Sequence, residues 1–119
     1  MNEKVNLADK LTLFDEHWKP KIVGRFNDNE LRVVKLKGEF VWHKHEETDD
    51  FFLVLEGHLT IQLHDGDIEL DPGEFFVVPR GVEHCPRADN QAAVLLIEPS
   101  GTVNTGDAGG PLTALPEEI

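Results

Sequence analysis

Four residues of this chain could do chemistry together: His43, His45, Asp50 and His84, with Glu46, Glu47 and Asp49 read as loop charges. Two histidines two positions apart on an extended segment project to the same face of a strand. Asp50 follows five residues after His45, and His84 arrives later behind the turn Pro79-Arg80-Gly81. Three imidazoles and a carboxylate make a pocket of nitrogen and oxygen donors. Such a set suits a divalent transition metal: iron, nickel, copper, zinc or manganese. His17, His58 and His64 fall outside this spacing and read as surface or structural. Cys85 directly follows His84, so on a strand it faces away from the donors and reads as a small buried apolar residue.

Something must aim these side chains, and the rest of the chain reads as short strands. Candidates are Lys21–Phe26, Glu30–Leu36, Phe40–His45, Asp50–Leu55, His58–His64, Asp67–Leu70, Glu74–Val78, Val82–Arg87 and Ala92–Glu98. They are parted by Asn27-Asp28-Asn29, Gly57, Asp65-Gly66 and Asp71-Pro72-Gly73, all turn chemistry. About nine short strands at this spacing predict an all-β sandwich or barrel. Alternation puts Phe52 and Val54 on the Asp50 face, and Phe76 with Val78 on one face of their strand. Ahead of the strands, Leu7, Leu11, Phe14 and Trp18 recur at helical spacing behind the N-cap Asn6, with Pro20 as the stop. Residues 1–20 are therefore expected as a helical arm, 21–99 as the barrel and 100–119 as a tail. Four glycines, two further prolines and little periodicity mark that tail as an extended arm or frayed terminus.

Composition narrows the partners. At 119 residues the chain suffices for one domain with one core. Its 23 Asp and Glu against 11 Lys and Arg give a net charge of -12. That excess opposes binding to nucleic acid or to an anionic membrane surface. No apolar run is long enough to span a bilayer, and Met1–Asn6 lacks the apolar stretch of a secretion signal. With a single cysteine there is no intrachain disulfide, and a cytoplasmic setting is expected.

The spacings resemble those of the cupin family. Gly38, His43, His45, Asp50 and Gly57 match the first cupin motif, and Gly73, Pro79, Gly81 and His84 the second. The resemblance implies an all-β, double-stranded β-helix or jelly-roll barrel, here with a short N-terminal helix. It implies metal ligation by His43, His45, Asp50 and His84. There are three departures: Gly38 stands one residue nearer His43 than usual, Ala88 replaces a common Asn, and Asp50 stands where Glu is usual. Asp is shorter by one methylene, so Asp50 either ligates directly or holds a metal-bound water. Glu47 is the substitute should its loop fold inward.

Cupins share a fold far more than a chemistry. The expected function is a metal-binding enzyme on a small molecule: a Lewis-acid isomerase or lyase of sugar-isomerase-like type, or an iron-dependent dioxygenase. The alternative is a non-catalytic module that binds or senses a metabolite. Phe40, Trp42, Phe52 and Phe76 are candidates for the pocket wall. Glu39 and Glu83 are the nearest titratable groups for a base, and Arg80, Arg87 and Gln62 could meet a substrate. The resemblance also implies a homodimer, with Leu7–Phe26 as a segment available for exchange or edge pairing.

Overall fold

Alternation along the strands decides which faces meet. In Asp50–Glu56 every second residue, Asp50, Phe52 and Val54, is buried while its neighbours are partly exposed. A sheet with one such face must bury it against another sheet. The computed structural model describes residues 3–119; Met1 and Asn2 of the expected arm lie outside the described residues. Its strands are β1 (Lys21–Phe26), β2 (Asn29–Glu39), β3 (Asp50–Glu56), β4 (Leu59–Leu63), β5 (Gly66–Leu70), β6 (Phe75–Val78), β7 (His84–Pro99) and β8 (Glu117–Glu118). They wrap into a jelly-roll barrel of the expected class, its core formed by Val34, Leu36, Phe52, Val54, Leu59, Ile61, Val78 and Val94.

The long strand β7 organises the barrel. Its first residues pair antiparallel with β4, with Leu63 opposite His84. Its second half lies between β2 and β3, with Val94 opposite both Val34 and Val54. The turn expected between Arg87 and Ala92 is instead an irregularity inside one strand, where the β2 register shifts between Leu36 and Gly38. Such a bulge lets one strand pass from one sheet to the other. Two of the expected strands thereby become one; Phe40–His45 forms no regular strand, and the short β8 is an addition.

The N-terminal helix is shorter than its periodicity suggests. Asn6 caps it as expected, its side chain accepting from the Asp9 N–H at 3.0 Å, but α1 spans only Leu7–Leu11. Leu11 and Phe14 pack outside the barrel on Val33 and Ala93. The chain then crosses the sheet edge, and Trp18 enters the interior cluster. Crossing requires a backbone that a helix cannot provide: Trp18 sits at φ 62°, in the left-handed region. A bulky residue held there costs roughly 1–3 kcal/mol.

The C-terminal segment is folded against the barrel rather than frayed. Leu112 packs on the main core, Thr105 is fully buried with its hydroxyl 2.5 Å from that of Thr113, and β8 pairs parallel with β1. Lys10 Nζ donates to the Ile119 carbonyl at 2.5 Å. Gly106, at φ 54°, lies so close to the barrel that an added Cβ would stand 2.3 Å from the Lys44 carbonyl oxygen and 3.1 Å from the His43 ring. Gly109, at φ 62°, has nothing within 4 Å of that position.

These two glycines separate backbone strain from contact. Gly109→Ala adds only the left-handed penalty, about 1 kcal/mol. Gly106→Ala adds that penalty and drives the tail off Lys44, so a loss of at least about 2 kcal/mol is expected in denaturant unfolding. Equal losses for the two variants would show that the tail does not seat on this segment.

Candidate metal centre

The backbone sets the site before any side chain does. Past Glu39 the chain leaves regular pairing; the expected strand Phe40–His45 is an irregular segment held at single points. Phe40 N–H donates to the Pro86 carbonyl at 2.9 Å. His43 and His84 exchange both backbone hydrogen bonds, at 3.0 and 2.9 Å. The irregularity breaks simple alternation, so Phe40 and His43 both face inward and line one cavity. Glu39 and Trp42 stay outside. A positive φ of 78° at Gly81, which donates to the His45 carbonyl at 2.8 Å, turns the chain into His84.

That pairing brings His43, His45, Asp50 and His84 together, all buried, with one donor atom of each within 4.8 Å of the others. The His43 and His84 rings lie 4.4 Å apart between centroids, and His43 meets His45 edge-on at 5.1 Å. Asp50 is not short of the cluster. Its Oδ2 stands 2.8 Å from His84 Nε2 and 3.4 Å from His45 Nε2.

The ring orientations are fixed from behind. His43 Nδ1 lies 2.9 Å from the Val41 carbonyl oxygen, and His84 Nδ1 2.9 Å from that of Val82. A carbonyl only accepts, so each Nδ1 carries the proton and each Nε2 turns a bare lone pair inward. This arrangement tethers metal-binding histidines and fixes their tautomer. For His84 the consequence is sharp. With Nδ1–H already given to Val82, its Nε2 faces the Asp50 carboxylate as acceptor against acceptor unless a proton or a cation stands between them. The donor set therefore fits a divalent transition metal. Bonds of about 2.0–2.2 Å require opposed donors no more than roughly 4.4 Å apart, so the cluster needs to tighten by only a few tenths of an ångström.

Charge follows the same geometry. Burial, with the neighbouring His84 next, pushes the His43 imidazole down to about 4, leaving it neutral at physiological pH. Burial also opposes charge on His45, but its hydrogen bond to Asp50 and the charge of that carboxylate raise its pKa. Burial would raise Asp50; His45 and His84, when a proton stands between them and the carboxylate, overcome it and hold the carboxyl well below its usual range.

A second buried group lies beside the cluster and has no signature in the sequence motifs. Phe51 pairs with Ile97, so Asp50 and Glu98 are the next residues along adjoining strands. Glu98 accepts from Arg32 Nη1 at 2.7 Å, and Arg32, fully buried, also donates to Glu30 and to the Thr102 carbonyl. Burial, then the charge of Asp50, raises the Glu98 pKa despite Arg32. The tail supplies the remaining wall: Lys44 N–H donates to Asp107 Oδ1 at 2.9 Å, and Gly106 lies against His43.

Other candidates fall away from the cluster. Glu39 accepts from Gln62 at 2.8 Å on the exposed side, and Glu83 bonds His64. Glu47 is exposed at the edge of an outer groove, and Arg80 pairs with Asp49 in solvent. Trp42 stacks on His64 at 4.5 Å, half exposed, and Phe76 packs behind the core. His17 and His58 are surface residues bonded to Gln91 and to Asp71 and Glu69. Cys85 is buried facing away, its thiol pushed up to about 11, chiefly by burial. Of the four wall candidates, Phe40 and Phe52 line the inner cavity.

Comparison with known proteins agrees with the barrel fold. The Cupin_2 model, described as a cupin domain, matches residues 31–98. A solved cupin-2 domain protein from Shewanella frigidimarina is 45% identical, with a TM-score of 0.79 over 80% of this chain and 93% of that one. The uncharacterized protein YdbB of Bacillus subtilis is 31% identical over 77 residues, 64% of this chain and 68% of its own. A 3-hydroxyanthranilate 3,4-dioxygenase of Jannaschia is 28% identical over 106 residues, 79% of this chain but 59% of that longer protein.

The depressed His43 pKa has a stability consequence. The folded chain holds this ring neutral down to about 4, whereas unfolded histidine takes its proton near 6.5. Stability from His43 is complete above 6.5 and drains away as pH falls toward 4. The chelator-treated protein should therefore melt progressively lower across that window, and His43→Asn should flatten the slope. Identical slopes for the two proteins would contradict the buried, neutral ring.

Proposed function

This chain belongs to the Cupin_2 family, and from that membership we propose that His43, His45, Asp50 and His84 hold one divalent metal for oxygen-dependent chemistry on a small, largely apolar molecule. Asp50 is taken as a direct ligand, because its oxygen already stands among the ring nitrogens. The single observation that carries the reaction class is the cavity wall. Trp18, Pro20, Val34, Leu36, Phe40, Phe52 and Pro86 line it, with polar groups confined to His43, Asp50 and Asn104. A sugar-like substrate of an isomerase or lyase carries hydroxyls that need buried partners. This wall offers almost none, which favours the dioxygenase over the Lewis-acid isomerase.

Iron bound there would supply redox chemistry with O₂. The chain's own residues have narrower tasks. Val41 and Val82 carbonyls hold the His43 and His84 rings in one tautomer, and the apolar wall keeps water from the donors. Similarity to the Jannaschia dioxygenase supports this reading. The second reading, a binding or sensing module, is supported by the cavity volume of only about 40 Å³.

The chain is also proposed to be a cytoplasmic homodimer. None of the described helices is long and apolar enough to cross a membrane. The outer face of β3 and β6 exposes Phe75 and Val77, with Phe51 stacked on Phe75 at 5.5 Å, beside a strand paired on one edge only. Sedimentation at micromolar concentration should give twice the 13.4 kDa chain mass. A species of single mass would remove the dimer.

Protein purified without chelator and reloaded with Fe(II) should retain about one metal per chain. His43→Ala with His84→Ala should lose it while keeping its far-UV spectrum. Oxygen uptake by the iron form with small phenolic compounds supports the dioxygenase. Tight metal without uptake supports the module, and metal retained in the double variant would overturn the assigned site.

A further inference from the structure

The inner cavity is too small for an organic substrate. Its volume of about 40 Å³ falls well short of the roughly 150 Å³ of an apolar cavity that takes a benzene-sized ring. What fills the rest of the space beside His43 is the indole of Trp18. It lies nearly parallel to the Phe40 ring, 4.6 Å away with 17° between planes, and Phe40 in turn meets His43 edge-on at 5.4 Å.

Trp18 holds this place through a strained backbone and three hydrogen bonds rather than through a regular element. Its backbone is in the left-handed region, unfavourable for a bulky residue. Its flanks, Thr12–Pro20, contain no helix or strand apart from one bridge between His17 and Lys35. The latches are hydrogen bonds at the rim: Trp18 N–H to the Lys35 carbonyl at 2.9 Å, indole Nε1–H to the Lys37 carbonyl at 3.0 Å, and Asn104 Nδ2 to the Trp18 carbonyl at 3.3 Å. Asn104 is itself held by Leu112 and Ala114 of the tail.

We infer that Trp18 is a displaceable plug, and that the ligand of this pocket is a planar aromatic ring that replaces the indole on Phe40 with its polar substituent toward His43 and Asp50. A cavity of about 150 Å³ lined by apolar side chains accepts a benzene-sized ring, and removal of an indole opens space on that order. The wall suits such a guest: Phe40 offers a stacking face, Phe52, Val34 and Leu36 offer apolar contact, and the donors sit at one end. Because the plug competes with the guest, the apparent affinity of the intact chain is the intrinsic affinity reduced by the fraction of molecules that are open. The inference builds on the pocket reading above, but ring binding needs no metal and is tested without it.

Phenol and cyclohexanol serve as probes, titrated calorimetrically into chelator-treated and metal-loaded protein. In a Trp42→Phe background, phenol should shift the emission of Trp18 to the red as the indole leaves the core, and cyclohexanol should not. Asn104→Ala, which removes one latch and leaves the plug in place, should tighten phenol binding severalfold; Trp18→Ala should tighten it about tenfold or more. Phenol binding to Trp18→Ala alone, with neither binding nor a Trp18 shift in the intact chain, would overturn the inference, since that cavity would be made by the substitution. If Trp18→Ala does not fold, the Asn104→Ala titration decides. Metal retained without any phenol response sinks this inference and leaves the metal reading standing; a phenol response in a chain that binds no metal does the reverse.

Discussion

The candidate centre depends on one reciprocal backbone contact. His43 and His84 exchange N–H···O bonds outside any regular ladder, and this exchange sets two distant segments in one register. With the backbones fixed, each ring donates Nδ1–H to the carbonyl two residues before it. Both Nε2 lone pairs then face the same point. Burial follows because β3 and β7 close around them, and burial makes the His43 ring a poor base and leaves Asp50 a buried carboxylate in need of a cation. Ring, carbonyl and carboxylate form one mutually dependent unit.

The surrounding structure reads as support for that unit. β7 passes from one sheet to the other, so one strand carries His84 at the centre and Glu98 beside Asp50. Two chain ends that are not barrel strands complete the enclosure. Trp18 fills the interior from one side and is held by Asn104, while Gly106 and Asp107 clamp the His43–Lys44 backbone from the other. The inner cavity is small as it stands, and on the inference above its access is a conformational matter.

Much of the barrel was legible because strand periodicity and turn chemistry are local. Asn27-Asp28-Asn29 and Asp65-Gly66 each close a pair of strands, Asp71-Pro72-Gly73 separates β5 from β6, and Phe52 and Val54 face inward with Asp50 as alternation requires. The grouping of His43, His45, Asp50 and His84 was legible because strand-end glycines and Pro79 fix the spacing. Three things were not. Trp18 continues a helical spacing by coincidence, since Phe14 and Trp18 bury on opposite sides of one sheet. Phe40, a wall candidate from the sequence, faces inward together with His43 because the segment after β2 is not regular, a pairing that alternation puts on opposite faces. The tail lies close against Lys44 and His43 at Gly106 alone among its glycines, and a glycine-rich composition looks the same as a frayed end until the partner surface is known.

X-ray absorption of the iron-loaded chain tests the central claim most directly, because it reports the atoms bonded to the metal. The geometry predicts light scatterers only, with the outer-shell signature of about three imidazoles and a carboxylate oxygen at about 2.0–2.2 Å. A sulfur scatterer near 2.3 Å would implicate Cys85 instead, and fewer than two imidazoles would mean that the convergence of His43, His45 and His84 is not built to hold a metal.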